Sequence, residues 1–587
     1  MIDDVYEPLE QFTAHFKTAH VNNTSDFFED LVRQSGVDEE ANAKTVQQLR
    51  QLEQQAGGAN STHKWWQILR GVVLAAALLA LPYVFTHYSW LWLVVLTAIF
   101  APVIYWLNRV INDSHAQLKG LEQACEAKRA EAWGQMAPLN RLFDWDIVAK
   151  LMQKTVQRIA FDPYFSNARM EELRNSFGWS GELGDDHSVV FTHSGVLNGN
   201  PFILARTLTH WMGNKTYHGS LEISWTEQVR GSDGKWHTER RYETLHASVK
   251  HPFPEYDNQT FIIYGNEAAP DLLFSRSPSK LSKLEDGFFD KMRKNHAIKK
   301  LESKSRDIGE GKTFSVMSNH EFDALFDATD RNHEVQFRLL FTPLAQQEML
   351  KLLKDSQVGY GDDFTFNKMN MINVVGPAHM RHTDIGGEPE KFHAYELAQA
   401  RIFFNGYHND FFRSFYFGIA PLLAIPLYQQ HRPHSDIYNN PRASKPCFWE
   451  HEAIANYHGE AEFRHPDCVT RSILKAASKI EADGSQRVRV TASGYSSVER
   501  VDYIAVLGGD GRSHKVPVHW HEYHDVQRAS DMIVMEKTSI SDDVRNLVAD
   551  NDEATLRKMF EQRGVEYQNT IFRRSIVSAV LRGWSIP

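Results

Sequence analysis

The chain has 587 residues, a formal net charge of -10, 42% hydrophobic and 24% charged residues. That length holds about two to four domains, and that composition excludes a wholly disordered chain. The acidic balance argues against a nucleic-acid binder, which carries a basic footprint.

Three cysteines, Cys125, Cys447 and Cys468, lie far apart with no C-x-x-C pair, which points to a reducing compartment without a disulfide framework. The start, MIDDVYEPLEQF, is acidic and lacks a basic region before an apolar core, so no secretory signal is expected. Residues 1–62 form a cytosolic, helical N-terminal segment. Within it Phe27, Phe28, Leu31, Val32, Val46, Leu49 and Leu52 recur at helical spacing, and Gly57-Gly58 is read as a break.

Residues 63–109 carry the clearest pattern, a transmembrane helical hairpin. Two apolar runs, 68–85 and 90–107, are separated only by Thr86, His87, Tyr88 and Ser89. Each run is about 18 residues, near the lower end of what spans a bilayer core of about 30 Å. Lys64, Arg70, Arg109, Lys119, Lys128 and Arg129 all flank the side of the termini. The positive-inside rule then predicts a bacterial inner-membrane protein with two spans and both termini cytoplasmic. Trp65, Trp66, Tyr105 and Trp106 would anchor one interface and Trp90 and Trp92 the other, with Arg70 and Arg109 reaching outward. The lipid bilayer is the first partner this implies. Residues 110–160 continue as a membrane-proximal helical stalk with a kink at Pro138. Self-association through these helices is open, although no clean heptad run supports it.

Residues 161–385 change character to an α+β domain built on antiparallel β-meanders. Asn198-Gly199 sits between two β-rich runs as a hairpin signal. A second turn is expected at Gly213-Asn214 and a third at 231–234, with a further strand at 261–265. A helix is expected over 280–304 and a strand over 335–341. Thr342-Pro343 opens the helix LAQQEMLKLLKD by the cap-then-proline rule, and a strand pair surrounds FTFNKMNMINVV. Lys291, Arg293, Lys294, Lys299 and Lys300 concentrate basic charge in an acidic chain. They are candidate contacts to anionic lipid, each adding about 1 kcal/mol near such a surface, against a plain solvated helix face.

The order of these features resembles a family of bacterial membrane proteins known only as a domain of unknown function. The resemblance rests on the upstream hairpin, the acidic turn Gly184-Asp185-Asp186, and NHEFDALFDATDRNHEVQFRLLFTPLAQQEMLKLL at 319–353 with Arg338 inside it. It covers about residues 140–380, implies membrane placement and an α+β body, and supplies no catalytic residues.

Residues 386–587 read as a C-terminal domain, a β-meander with flanking helices. The apolar run 411–428 contains Arg413, Pro421 and Pro426, which favours a buried segment over a span. Strands are expected over 487–523, with turns at Ser496-Ser497 and 508–511. After Ser541 the tail, including IFRRSIVSAVL, reads as helical.

The chain holds 28 histidines, and two clusters suggest a transition metal. His519 and His521 would share one strand face, with His451 and His458 as converging partners. HEAIANYH is not the zinc-protease H-E-x-x-H pattern. Asp185, Asp186, His187, Asp362 and Asp363 read as solvated turn residues. No phosphate-binding loop, nucleophile elbow or kinase set is present. The preferred function is a membrane-anchored cytosolic scaffold or binding module, non-enzymatic, with protein partners at the cytosolic face and no nucleic acid. The alternative is a membrane-tethered metal-dependent hydrolase using the histidine clusters.

Overall fold

The computed structural model describes residues 6–87, 90–230, 232, 235–279, 316–429, 444–481, 485–536 and 570–581, without the side chains of residues 77 and 80–97. These residues form two compact units: 21–147 with 387–410, and 1–20 with 148–386 and 411–587.

The smaller unit is built on two long helices, Glu39–His87 and Trp90–Asn140. Their pairing is antiparallel. Gln135 donates to Thr45, Arg129 to Glu53, and Arg70 to Asn108 at 3.2 Å, while the rings of Trp66 and Trp106 meet edge-on. Two asparagines clasp the segment leading into helix Leu397–Leu423. Asn140 donates to Ala394 O and accepts from its N–H, and Asn42 does the same for Tyr395 O and Leu397 N–H. Arg50 closes this joint with a two-pronged contact to Glu396 at 2.7 and 2.8 Å. Gly57 and Gly58 lie inside the first long helix and do not break it. Each glycine costs about 1 kcal/mol there, which a 49-residue helix paired along its length absorbs.

Among the described residues, no helix is long and apolar enough to cross a membrane. This overturns the two-span hairpin, its place in the fold class, and the inner-membrane localisation with cytoplasmic termini. The apolar runs sit at the lower limit for spanning and are stretches of 49- and 51-residue helices whose other turns are polar. Arg70 turns to Asn108 on the neighbouring helix instead of reaching outward. Trp65, Tyr105, Trp106 and Arg109 are exposed and Trp66 is half-buried, while the side chains of Trp90 and Trp92 lie outside the described residues.

The larger unit holds two antiparallel sheets. The seven-stranded sheet has the order β1-β2-β3-β4-β7-β6-β5 and the five-stranded sheet β11-β12-β10-β9-β8. Their strands are β1 Ile159–Phe161, β2 His187–Leu197, β3 Asn200–Arg230, β4 Trp236–Gly265, β5 Leu273–Arg276, β6 Phe364–Met369, β7 Ile372–Pro377, β8 Ile473–Ile480, β9 Gln486–Leu507, β10 Ser513–Glu536, β11 Thr570–Arg573 and β12 Ile576–Val580. The β2–β3 turn is the expected Asn198-Gly199, with both residues left-handed (φ 53° and 80°), as a primed hairpin turn requires.

The expected turn at Gly213-Asn214 does not exist. β3 runs straight through, with Gly213 opposite Phe253 and Asn214 opposite Pro252. Likewise β9 passes Ser496 and Ser497 without turning, and these residues pair with His524 and Tyr523. Two long two-stranded ribbons result. At about 3.3 Å per residue, the part of β3 beyond residue 210 extends on the order of 65 Å. The ribbons pack face to face. Ile223, Leu245 and Val516 form their buried centre, flanked by Leu221, Trp225, Ala247 and Val506. Gly219 permits the closest crossing, because a Cβ there would lie 2.0 Å from Pro517 O. Further along, His251 stacks on Trp520 at 3.5 Å and hydrogen-bonds Asp502 at 2.8 Å.

Three local expectations change type. Residues 335–341 form most of helix Glu334–Leu340, capped by His333, which accepts from Gln336 N–H and buries Phe337 and Leu340 three residues apart. The run IFRRSIVSAVL is the β11–β12 hairpin, turning at left-handed Arg574 (φ 52°). The basic residues Lys291, Arg293, Lys294, Lys299 and Lys300, and the tail over 541–569, lie outside the described residues. The run 411–428 is buried, and Arg413 satisfies its charge by donating to Val358 O and Gly359 O.

Helix Phe448–His458 joins the two sheets. Glu450, fully buried, accepts from Phe165 N–H at 3.1 Å, from the Thr192 hydroxyl at 2.6 Å and from Arg573 at 3.0 Å. Removing one partner of such a buried pair costs about 3–5 kcal/mol, because the other charge is left uncompensated. Glu450→Ala is therefore expected to lower the urea midpoint of unfolding by that equivalent. A second change, Arg573→Met, should recover much of the loss in the same assay.

Candidate functional site: an aromatic groove at the base of the ribbons

At the base of the two ribbons a groove of about 570 Å³ opens. Its walls come from β3 (Trp211), β4 (Phe253 to Asp257), the segment entering β8 (Val469 to Arg471) and β10 (Tyr523). Trp211 and Glu255 are direct cross-strand neighbours, which puts their side chains within reach of a common ligand. Phe253 meets Tyr523 edge-on, with centroids 5.5 Å apart. Tyr256 hydrogen-bonds Thr470 Oγ1 at 3.1 Å, and burial pushes its phenol up to about 12, so it stays neutral and serves as a hydrogen-bonding wall.

The Glu255 side chain folds over Gly213, so a side chain at 213 would displace its carboxylate. A Cβ at that position would come within 2.3 Å of Glu255 Oε1. The other lining charges are already matched: Asp257 pairs with Arg381, and Arg471 donates to Glu460 at 2.9 and 2.7 Å. Glu255 has no ion-pair partner among the described residues. Lys215 shows what the aromatic wall attracts, its ammonium lying 4.8 Å from the Phe253 centroid and 5.3 Å from that of Tyr217.

The backbone edge of β4 beside the groove is closed to strand addition. In an antiparallel ladder, a residue's N–H and C=O point to the same side and alternate along the strand. Pro252 and Pro254 have no N–H, so their side of the strand is the one away from β3. Asn258 shares that parity, and its carbonyl accepts from Arg381 Nε at 3.1 Å. With two donors missing and one acceptor capped, recognition here falls to side chains.

The residues singled out from sequence go elsewhere. His519 faces solvent and pairs with Glu499 at 2.9 Å, and His521 is exposed on the same ribbon. His451 and His458 are two turns apart on helix Phe448–His458, bonded to Gln486 at 3.2 Å and Ser578 at 2.7 Å. Burial holds both imidazoles down to about 4, so they act as neutral hydrogen-bonding groups. The structure does not bring these four histidines together, and among the described residues no three His, Cys, Asp or Glu side chains converge to hold a metal. Asp186 pairs with His187 at the surface, and Asp362 is buried against Arg276. Sequence reasoning passed over Trp211, Glu255 and Tyr523. Their only local signal is the Pro-Phe-Pro run of 252–254 inside a β-rich stretch.

Comparison of the chain with family models, curated proteins and solved structures finds no match in any of the three.

One buried group elsewhere in this unit has a consequence for stability. Lys368 on β6 is buried, its Nζ donating to Ala268 O at 3.0 Å and lying 5.6 Å from the Tyr428 ring centroid. No carboxylate pairs with it among the described residues, and desolvation pushes its ammonium down to about 7. Between pH 7 and the ordinary lysine value of 10.5, the unfolded chain holds the proton more tightly than the folded one. Stability therefore falls as pH drops through that window. Lys368→Met is expected to stabilise the protein near pH 7 and to lose that advantage as pH approaches 10.5. Urea midpoints of both proteins measured across the window check the sign.

Proposed function

We propose that this protein is a non-enzymatic binding module that captures a ligand in the groove at the base of its paired β-ribbons. The carrying observation is the groove itself, an aromatic-lined concavity on paired strands holding a carboxylate without an ion-pair partner among the described residues. Sites of this make-up bind through apolar area, with a few placed polar groups fixing orientation. A catalytic reading has less support, since the lining residues include no cysteine or histidine and no hydroxyl paired with a general base. The ribbons add rigidity, because the Ile223–Leu245–Val516 core holds the groove-bearing strands in place.

The test is selection of random heptapeptides against the intact chain, followed by affinity measurement on variants. Peptides that use the groove should weaken at least tenfold against Trp211→Ala and against Gly213→Val, which displaces Glu255. They should keep full affinity for Tyr242→Ala near the ribbon tip. Selected peptides that bind all four proteins equally would remove the groove as the binding site.

A further inference from the structure

Resting on the groove as a binding site, we infer that it is selective for a cationic side chain, namely an arginine presented by a partner polypeptide. Three features of the lining point the same way. The walls are aromatic faces and edges: Trp211, Phe253, Tyr256 and Tyr523. A planar guanidinium stacks on such faces and is less strongly hydrated than an ammonium, so it loses less on entering. Glu255, which has no counter-ion among the described residues, is the cross-strand neighbour of the exposed Trp211. Arginine can stack on that indole and reach the carboxylate with two parallel N–H donors.

The remaining charges sharpen the choice. Asp257 pairs with Arg381 and Arg471 with Glu460, so among the described lining residues Glu255 is the charged group without an ion-pair partner. An anionic ligand would have to displace Glu460 from Arg471 and lie beside Glu255, which like-charge repulsion opposes. A neutral ligand would leave the Glu255 carboxylate partly desolvated and unpaired, which is costly. The chain itself supplies a precedent, since the Lys215 ammonium already rests against Phe253 and Tyr217. Closure of the β4 edge by Pro252, Pro254 and Arg381 means that the partner enters by its side chain and not as an added strand. The overall charge of -10 favours approach of a basic segment.

The experiment is fluorine NMR on the full chain labelled with 5-fluorotryptophan, the Trp211 resonance being assigned from Trp211→Phe. The probes are N-acetyl-arginine methylamide, its isosteric but uncharged citrulline counterpart, and N-acetyl-leucine methylamide. The arginine probe should shift the Trp211 resonance saturably. Glu255→Gln should raise its midpoint at least fivefold, while Glu239→Gln near the ribbon tip leaves it unchanged. The citrulline probe should need at least tenfold more ligand for the same shift. If citrulline or leucine moves Trp211 at the same concentrations as arginine, or Glu255→Gln has no effect, selectivity for a cation is overturned while the groove stands as a binding site. If none of the three probes moves Trp211, the groove itself fails as a binding site. Matching far-UV circular dichroism of the variants excludes misfolding as the reason for any loss.

Discussion

One buried carboxylate, Glu450, ties the two sheets of the larger unit together. Glu450 has no solvent exposure, and an ionised carboxylate in such a place is tolerated only when its oxygens are filled. Phe165 N–H and the Thr192 hydroxyl bond one oxygen, and Arg573 bonds the other. These partners come from the loop before helix Asn167–Phe177, from β2 and from β11. The satisfaction of one charge therefore requires both sheets to be in place at once. Two residues on, Glu452 accepts from Val189 N–H on β2 and pairs with Lys475 on β8 at 3.3 Å. Burial raises the Glu452 carboxyl, which Lys475 and the backbone donor oppose. His451 and His458 extend the same helix to Gln486 on β9 and Ser578 on β12. Polar groups buried in one helix thus specify the mutual position of two sheets that share no strand.

The ribbons obey a different logic. Their inner faces are apolar, and burying an aliphatic side chain of that size contributes about 1.5–3 kcal/mol. Exposed pairs also lace the ribbons, Arg500 with Glu522 at 2.8 Å and His519 with Glu499 at 2.9 Å. Exposed pairs of this kind contribute about 0–1 kcal/mol each, so the apolar side chains between the ribbons hold them together. An isolated two-stranded ribbon is marginal in water. Pairing the two face to face is what lets strands of 31 and 24 residues persist.

Turn chemistry was legible from sequence where a turn needs an unusual backbone. Asn198-Gly199 was found because only such residues take two successive left-handed conformations cheaply. Thr342-Pro343 was found because a cap followed by proline has few other uses. Gly213 looked like a turn for the same reason, but its glycine answers a distant requirement, room for the Glu255 side chain. Ser496-Ser497 misled similarly, since a pair of small polar residues marks a turn in isolation and is indifferent within a ladder fixed by its partner. The long hairpin helices were read as spans from hydropathy, flanking charge and interfacial aromatics, none of which registers that Arg70 finds Asn108 across the pair. The histidine clusters were read as ligands from proximity along the chain. Buried in helix Phe448–His458 or exposed on β10, these histidines serve hydrogen bonds and surface pairs. The groove was invisible because its residues belong to strands hundreds of positions apart and form no local pattern.

The groove's position follows from the joint. Near their tips the two ribbons are close enough for Gly508 and Gly509 to meet Ile223 and Trp225, and for Gly509 N–H to donate to Glu243 at 2.6 Å. Toward their bases each pair of strands must re-enter a different sheet, β3 beside β2 and β9 beside β8. Helix Phe448–His458 lies against both sheets through buried bonds that fix their separation. Contacts between the two hairpins continue to their bases, with His210 against Tyr495 and Tyr256 bonded to Thr470, but they leave Trp211 uncovered. Trp211 is left 43% exposed there, whereas Ile223, further out on the same strand, is 9% exposed. A surface left open by the architecture is costly as apolar area in water, and a ligand that covers it recovers that cost. The joint that satisfies Glu450 and the groove that presents Glu255 are thus two consequences of one constraint, two sheets held at a fixed distance and bridged by strands long enough to meet beyond it.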